Sequence, residues 1–458
     1  MMDTATAAGV VRGRLYGGNV RFARVTTDTR ALAPGDLFVA LKGEQFDGHD
    51  FVPAAFARGA VAALVAADRA DALAGELIAV ADPLAALGQL ARHWRAQFTL
   101  PVVVIAGSNG KTTVKEMVAS ILRAEFGAGA VHATRGNLNN AIGLPLTVLG
   151  LRAPHRAAAI ELGMNHPGET AELAAIAQPT VAIVNNAQRE HQEFMHGTAA
   201  VAEEHAALIR ALAAGGTAVL NADDAHIGVW RDAARERAAA VVDFALDHPA
   251  AVAGRFVPAA AAGTLELSTR AGKATVRLAA PGRHNAANAL AATAAALAAG
   301  VSLAAVVRGL EAFRPVAGRL VPRMAGSGAV VIDDTYNANP DSVRAAIAVL
   351  AGMPGPKCLV LGDMGEVGAQ GPAFHEEIGE FARAQGIDRL LAVGALAAAT
   401  VAAFGAGALH FMSVEALAQH AAATIDRGTT VLVKGSRFMR MERVVAALAG
   451  EAPDGGPR

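Results

Sequence analysis

The sequence predicts an α/β protein of three domains: a small α/β domain, a central P-loop-type domain with a mostly parallel sheet, and a C-terminal Rossmann-like domain. Three observations support this fold class. A chain of 458 residues is long enough for about three domains. Short apolar runs alternate with Ala-rich helical stretches, which is typical of parallel sheets covered by helices. This alternation ends near residue 314 and then starts again.

The first domain, residues 1–97, is predicted from strand-like runs such as residues 36–41 and from a helix at residues 83–98. The second domain, residues 98–314, begins with an apolar strand at residues 102–106. Its further predicted elements are strands at 157–161, 181–185 and 217–221 and a helix at 285–299. The third domain, residues 315–458, has strands predicted at 330–334, 357–361, 390–393 and 430–434.

The composition excludes several classes of protein. A net charge of −1 without a basic stripe argues against binding to nucleic acid or to an anionic membrane. The single cysteine, Cys358, cannot form an internal disulfide, which fits a reducing compartment. The N-terminus has no basic segment followed by an apolar core, and the Ala-rich stretches are too short to span a bilayer. We therefore expect a soluble cytoplasmic protein without stable membrane insertion, acting as a monomer.

A phosphate-binding loop follows the strand at residues 102–106. It consists of Gly107, Ser108, Asn109, Gly110, Lys111, Thr112 and Thr113. The loop is shorter than the usual one, because the position of the usual first glycine is occupied by Ile105, inside the strand. Strand, turn and helix in this order place backbone N–H groups around an anion. Lys111 would contact the β- and γ-phosphates, and Thr112 or Thr113 would offer a hydroxyl to Mg²⁺. The alternative is an ordinary turn with an incidental lysine.

Two further side chains follow the next predicted strands. Glu161 ends one strand and His191 lies shortly after another. The carboxyl ends of parallel strands face one crevice, so both residues should lie near Lys111. Mg²⁺ prefers oxygen ligands but admits one histidine. Glu161 alone could cap a helix and His191 alone could lie on the surface; together they favour a cation site.

These motifs resemble those of the Mur ligases, the ATP-dependent amide-forming enzymes of peptidoglycan precursor synthesis. Later motifs of the family follow in the same order, at residues 282–288, 318–319, 333–342, 361–366 and 434–436. The stretch Asp334-Thr-Tyr-Asn-Ala-Asn-Pro, with Lys115-Glu116 after the loop, is similar to the member that joins D-alanyl-D-alanine to UDP-N-acetylmuramoyl-tripeptide. The resemblance therefore implies ATP and Mg²⁺ as cofactors and these two molecules as substrates.

The resemblance also implies a mechanism and residue roles. ATP phosphorylates the terminal carboxylate of the peptide, and the amine of the dipeptide then attacks the acyl phosphate. Lys111, Glu161 and His191 would be catalytic. Thr112 would hold the nucleotide-associated Mg²⁺, and Glu161 and His191 the second one. Nucleotide contacts are implied for Asn285, Asn288, Arg319 and Asp334.

Substrate contacts are implied in both outer domains. In the first domain, the residues that resemble the uridine-diphosphate site are Asp28, Thr29, Arg30, Gly43, Asp47, Gly48 and His49. Taken alone, Asp47-Gly48 is an ordinary turn. In the third domain, the residues expected to line the crevice for nucleotide and amine are Tyr336, Asn337, Asn339 and Ser342. The individual roles of Asp363, Glu366, Lys434 and Ser436 stay open.

The chain departs from the family pattern at His205. Many Mur ligases have a lysine there that CO₂ carbamoylates, which makes an extra anionic Mg²⁺ ligand. Here His205 or Glu204 substitutes, or the second cation site uses water, or His205 is simply a packed helix histidine.

Two other kinds of function are compatible with parts of this sequence: a related amide ligase, and a nucleotide-binding protein without ligase activity. An amide ligase that adds the third residue and a folate polyglutamylating enzyme share the fold, but the Asn337-Ala-Asn-Pro stretch argues against both. An inactive relative is disfavoured by Lys111, Glu161 and His191, and a nucleotide-binding switch by the lack of a guanine-reading Asn-Lys-x-Asp stretch.

Overall fold

The computed structural model describes residues 1–259 and 262–451 as an α/β protein with four sheets of two, five, nine and six strands. The predicted α/β class with mostly parallel sheets is confirmed. The domain boundaries at residues 97/98 and 314/315 remain predictions, and they are used below to name the N-terminal, central and C-terminal domains. Among the described residues, no helix has both the length and the apolar character needed to cross a membrane.

The N-terminal domain is built on a five-stranded sheet in the order β2-β7-β6-β5-β4, with β2 antiparallel to its neighbour. Its elements are β1 Met2–Asp3, α1 Thr4–Val10, β2 Arg14–Tyr16, β3 Arg21–Phe22, β4 Arg24–Thr26, β5 Asp36–Val39, α2 Val52–Ala57, β6 Ala62–Ala66, β7 Leu77–Val80 and α3 Pro83–Arg95. Helix α3 begins at a Pro after the capping side chain of Asp82, and its buried face carries Leu87, Leu90 and Trp94.

The central domain contains a nine-stranded sheet in the order β16-β15-β14-β13-β12-β11-β8-β10-β9. Its elements are β8 Val102–Ala106, α4 Lys111–Phe126, β9 Val131–Ala133, α5 Gly143–Leu149, β10 Ala157–Glu161, α6 Glu169–Ala177, β11 Val181–Val184, α7 Thr198–Arg210, β12 Thr217–Asn221, α8 Ile227–Glu236, β13 Ala240–Ala245, β14 Val252–Ala259, β15 Ala262–Thr269, β16 Gly272–Leu278, α9 Arg283–Ala298 and α10 Leu303–Ala312. Strands β9 to β14 run parallel, whereas β14, β15 and β16 form an antiparallel meander that the sequence did not predict.

The C-terminal domain has a six-stranded sheet in the order β17-β18-β22-β19-β20-β21, which is parallel except for the edge strand β17. Its elements are β17 Val321–Met324, β18 Val330–Asp334, α11 Pro340–Ala351, β19 Lys357–Gly362, α12 Gly371–Ala384, β20 Arg389–Val393, α13 Ala397–Phe404, β21 Ala408–Phe411, α14 Val414–Thr424, β22 Thr430–Lys434 and α15 Glu442–Ala449.

Strand β8 shows why the central sheet is buried on both faces. Val102, Val104 and Ala106 pack into one hydrophobic core, while Val103 and Ile105 pack into a second core with helices α4, α9 and α10. Successive side chains of a strand point to opposite faces, so a strand covered on both sides must be apolar throughout. This explains the unbroken Val-Val-Val-Ile-Ala run that leads into the loop.

The N-terminal domain shares its core with the central domain. The first core continues from Leu37, Leu64 and Ile78 of the N-terminal sheet into β8, β10 and β11 of the central sheet. Between them, the indole of Trp94 donates to the carbonyl of Leu151, and the guanidinium of Arg95 donates to the carbonyls of Ala177, Gln178 and Phe98. The linking helix α3 is thus fixed to the central domain by buried contacts.

Candidate active site

The loop between β8 and α4 takes a shape that requires glycine at two positions. Gly107 has a φ of 135° and Gly110 a φ of 85°, both in the region that disfavours other residues. A Cβ on Gly110 would lie 2.4 Å from Oδ1 of Asn288, and one on Gly107 would lie 2.9 Å from Cβ of Asn185. The backbone therefore passes close to its supports and turns sharply into helix α4.

The segment that follows β11 holds this loop in place. The amide nitrogen of Ser108 donates to the carbonyl of Asn186, and that of Asn109 donates to the Asn186 side chain. The side chain of Asn185 donates to the carbonyl of Asn109 and to Oδ1 of Asn288, whose own amide donates to Asn285. Asn285 and Asn288, predicted to contact nucleotide, therefore also form a buried support behind the loop.

The first-turn N–H groups of α4 have no acceptor within the helix, so they are available to an anion at its N-terminus. Lys111 lies at this terminus. Its Nζ lies 2.6 Å from the carbonyl oxygen of Gly107, 3.2 Å from that of Ser108, and 3.1 Å from Oε2 of Glu190. Lys111 is predicted from sequence to face phosphates, whereas its carboxylate partner Glu190 was not predicted.

Glu190 is a buried carboxylate at the centre of several charged groups. Its Oε1 accepts from Nε2 of His205 at 3.1 Å, and its Oε2 lies 3.9 Å from Nε2 of His191. Burial alone would raise the pKa of Glu190, but Lys111, His205 and His191 lower this pKa more strongly, so it lies well below the usual glutamate range. The feature of the sequence that could have identified Glu190 is its position beside His191, in a loop that follows a buried strand.

The side chains of Thr112 and Glu161 contact each other directly. The Thr112 hydroxyl donates to Oε2 of Glu161 at 2.8 Å, and the amide of Asn139 donates to Oε1 at 2.7 Å. Arg319 reaches across from the C-terminal domain, with Nη2 3.0 Å from the Thr112 hydroxyl. This arrangement places a hydroxyl and a carboxylate beside the loop, and Asn139, which was not predicted, holds the carboxylate through its side-chain N–H.

His191 occupies a strained backbone position with a φ of 47°, which is uncommon outside glycine. Its Nδ1 lies 2.7 Å from Oε2 of Glu366 in the C-terminal domain. The contact with His191 lowers the pKa of Glu366. Glu366, whose role the sequence left open, thus contacts the imidazole from the opposite side of the cleft.

The neighbouring side chains of Glu204 and His205 point in different directions. Glu204 accepts from the backbone nitrogens of Gly168 and Thr170 at the start of α6, so its carboxylate serves as a helix cap. His205 is only 1% exposed and faces Glu190. Of His205 and Glu204, the two side chains that could replace the carbamoylated lysine, only His205 points towards the site, where it contacts Glu190.

The C-terminal residues expected to line the crevice do so, but several also hold local structure. Asn339 and Ser342 form the capping box of helix α11, and the Asn339 amide donates to Oδ1 of Asn109 in the phosphate loop. Tyr336 lies under the guanidinium of Arg319, 4.2 Å from ring centroid to Cζ. Lys434 binds Asp334 and the carbonyl of Asn337.

Arg189 joins the central and C-terminal domains and was not predicted. Its guanidinium donates to both carboxylate oxygens of Asp341 and to Glu377, and its backbone nitrogen also donates to Asp341. Two carboxylates of the C-terminal domain therefore bind one arginine located between Gln188 and Glu190 of the loop support.

The central and C-terminal domains enclose a cleft of about 1390 Å³. The predicted residues that line it are Ser108, Asn109, Gly110, Lys111, Thr112, Thr113, Glu161, His191, Asn285, Asn288, Arg319, Asp334, Tyr336, Asn337, Asn339 and Ser342. Gly107 is the one phosphate-loop residue outside this lining.

The predicted N-terminal site residues lie outside the cleft lining. Asp28 pairs with the exposed Arg30 beside Thr29, and Gly43 and Gly48 shape the loop around Asp47. The predicted substrate contact of His49 stays a prediction, and its ring has a structural role. Its ring is buried, Nδ1 binds Asp47, and Nε2 accepts from the backbone nitrogen of Ala66, so neither nitrogen is free for a substrate.

Comparison with known proteins matches three successive parts of the chain to Mur ligase domains. Residues 21–95 match the Mur ligase family catalytic domain, residues 105–296 the Mur ligase middle domain, and residues 318–437 the Mur ligase glutamate ligase domain. The chain is 42% identical to the UDP-N-acetylmuramoyl-tripeptide–D-alanyl-D-alanine ligase of Escherichia coli, covering 96% of each chain. It is 33% identical to the ligase of the same name from Bacillus subtilis, covering 93% of this chain and 92% of the other.

Solved structures are similar along the whole chain. The crystal structure of MurF from Acinetobacter baumannii superposes with a TM-score of 0.90 at 34% identity, covering 98% of this chain and 99% of the other. MurF ligase from Thermotoga maritima in complex with ADP superposes with a TM-score of 0.81 at 27% identity, covering 93% and 97%. With the phosphate loop, the Thr112–Glu161 pair and the shared cleft in place, the chain belongs to the Mur ligase family.

Proposed function

We propose that this protein is the ATP-dependent ligase that joins D-alanyl-D-alanine to UDP-N-acetylmuramoyl-tripeptide. The observation that carries the proposal is the cleft itself, where Lys111 and the Thr112–Glu161 pair meet C-terminal residues around one phosphate-binding helix terminus. Relatives with 42% and 33% identity over nearly the whole chain have that activity in their names.

Nucleotide phosphates fit the N-terminus of α4. The first-turn N–H groups and Lys111 Nζ supply positive charge there, and the glycines allow the backbone to approach closely. Support from Asn185 and Asn288 keeps the loop in this shape before the nucleotide arrives. Such preorganised charge is the main protein contribution to phosphoryl transfer.

The donor set beside the loop fits Mg²⁺. The hydroxyl of Thr112 and the carboxylate of Glu161 lie within hydrogen-bond distance of each other, the Asn139 amide N–H holds that carboxylate, and hard cations prefer such oxygens. We propose that Thr112 holds the Mg²⁺ of the nucleotide and that Glu161 and His191, which face the same cleft, hold a second Mg²⁺. When bound, the cation neutralises charge on the phosphoryl oxygens.

The reaction then has two steps. The terminal carboxylate of the tripeptide attacks the γ-phosphorus of ATP, which forms an acyl phosphate and releases ADP. The amine of D-alanyl-D-alanine next attacks the acyl carbon, phosphate leaves, and the amine loses a proton. Lys111 and Arg319 are the cationic groups closest to the loop. The second step requires both carbonyl and amine in the cleft, which the C-terminal domain closes from the other side.

We further propose that the N-terminal domain holds the uridine-diphosphate end of the substrate, that the reaction takes place in the cytoplasm, and that one chain is sufficient. The shared core of the N-terminal and central domains supports the first point, because it fixes the distance between the two binding regions.

The test is phosphate release and product mass with UDP-N-acetylmuramoyl-tripeptide, ATP and Mg²⁺, with and without D-alanyl-D-alanine. We expect release of phosphate and a product extended by the dipeptide only when all components are present. Equal phosphate release without the dipeptide, or release with guanosine triphosphate alone, would contradict the proposal.

A further inference from the structure

The buried carboxylate of Glu190 has no part in the function proposed above. Its side chain is 5% exposed and makes two directed contacts, one from each oxygen. Oε2 faces Nζ of Lys111 at 3.1 Å, and Oε1 faces Nε2 of His205 at 3.1 Å. A buried charge is costly unless it is paired, so both contacts are needed to keep this carboxylate ionised and in place.

His205 interacts with the site only through Glu190. Its Nδ1 is buried and has no hydrogen-bond partner among the described residues, so Nε2 makes the only polar contact of the ring. An ionised carboxylate can only accept, so Nε2 carries the hydrogen. Its neighbour Glu204 points elsewhere, to the first turn of α6. The imidazole therefore fixes the orientation of one carboxylate and of nothing else polar.

Lys111 has Glu190 as its charged partner. Its other two contacts, to the carbonyls of Gly107 and Ser108, are neutral and belong to the same loop. The carboxylate thus holds the ammonium group in the loop where phosphates are proposed to bind. The same oxygen of Glu190 also faces Nε2 of His191, at 3.9 Å.

We propose that Glu190 is a positioning residue for Lys111 and that His205 holds Glu190 in its place. This inference rests on the proposed function, in which Lys111 serves nucleotide phosphates. Together, Glu190 and His205 keep one negative charge in a fixed position between Lys111 and His191. Phosphates that bind beside Lys111 compete with this carboxylate for the ammonium charge, and the charge of the carboxylate is then less well compensated unless a cation binds. Binding of the nucleotide and of a divalent cation should therefore be coupled through Glu190.

The test is binding of ADP, measured by calorimetry in EDTA and at increasing Mg²⁺, for the parent, Glu190→Gln and the control Glu203→Gln. Glu203 is an exposed carboxylate on the same helix as His205 and pairs with Arg210. Removing a negative charge near the phosphates should tighten Mg²⁺-free ADP binding by Glu190→Gln about three- to tenfold. The gain in ADP affinity on adding Mg²⁺ should shrink by a similar factor, and Glu203→Gln should match the parent.

Variants of His205 test the second half of the proposal. His205→Gln keeps an N–H donor and should bind ADP like the parent, whereas His205→Leu should shift in the direction of Glu190→Gln. If Glu190→Gln fails to fold, the His205 pair still decides the matter. A purely structural pair would weaken ADP binding with and without Mg²⁺ alike, and that outcome would overturn the proposal. So would unchanged affinity and unchanged Mg²⁺ dependence in folded Glu190→Gln and His205→Leu.

The two proposals fail in different ways. A parent protein that binds ADP with the expected coupling but forms no amide would contradict the proposed ligase reaction alone. A parent protein with ligase activity, together with a folded Glu190→Gln variant whose ADP affinity and Mg²⁺ dependence match those of the parent, would contradict the positioning role alone.

Discussion

The cleft and the N-terminal domain use their predicted site residues in different ways. In the cleft, side chains from separate elements contact one another: Thr112 binds Glu161 and Arg319, and Asn109 binds Asn339 across two domains. In the N-terminal domain, predicted residues contact residues of the same domain, as Asp28 does with Arg30 and Asp47 with His49 and Arg69.

This difference follows from the chemistry that each region is proposed to serve. Phosphoryl transfer requires several charges to be held close together out of water, so many side chains must converge and support one another. Recognition through backbone amides and small polar groups needs a stable loop shape, and side chains such as His49 maintain that shape. The motifs of the cleft therefore indicate residues proposed to take part in chemistry, whereas those of the N-terminal domain mainly indicate residues that maintain loop structure.

The largest effect is expected for Lys111→Ala. Loss of a phosphoryl-stabilising cation should reduce turnover by about a thousandfold or more, since such groups contribute on the order of several kcal/mol to the barrier. Affinity for UDP-N-acetylmuramoyl-tripeptide, measured by calorimetry, should stay unchanged because that site is proposed to lie on another domain. Turnover close to that of the parent would show that this loop is not catalytic, and a parallel loss of peptide affinity would contradict the separation of the two regions.

A smaller effect is expected for Arg189→Ala, which breaks one of the contacts between the central and C-terminal domains. Loss of two partly buried carboxylate partners should lower kcat/KM for ATP about tenfold. The radius of gyration from X-ray scattering should increase as the domains separate. Arg344→Ala is the matched control, because Arg344 contacts the same Glu377 from within the C-terminal domain. Equal losses in both variants would contradict a role in joining the domains.

In the N-terminal domain, His49→Ala should act on stability rather than on catalysis. It leaves the backbone nitrogen of Ala66 without its acceptor and removes one of the partners of Asp47, which should cost about 1–3 kcal/mol of unfolding free energy. Denaturant titration measures this loss, and kcat at saturating substrate should be unchanged. A raised KM for the UDP-peptide without loss of stability would instead support the predicted role of His49 in binding the substrate.

The smallest effect is expected for bicarbonate. Position 205 is a histidine and its neighbour in the site is the carboxylate of Glu190, so there is no lysine there for CO₂ to modify. Turnover at fixed pH should therefore be the same in CO₂-stripped buffer and in buffer with added bicarbonate. Stimulation by bicarbonate would show that another residue supplies a carbamate and that the alignment of this segment is wrong.

The sequence by itself determined the fold class, the phosphate loop and the reaction family. Buried parallel strands have to be apolar throughout and a loop with positive φ has to contain glycine, so both features can be read from local sequence. The predicted strands end close to the observed ones: the run predicted at 181–185 ends at Val184, and the helix predicted at 285–299 spans Arg283–Ala298. The antiparallel meander β14–β16 was missed, although it continues the same sheet.

Only the tertiary structure decided which polar side chains meet. Glu190 pairs with Lys111 across 79 positions of the chain and Arg189 with Asp341 across 152, and local sequence does not encode such pairings. It also separated Glu204 from His205: adjacent residues of a helix point in directions about 100° apart, so one caps α6 and the other faces the site. Sequence patterns specify which groups lie at the ends of strands. The packing of helices and domains specifies which of those groups form charged pairs.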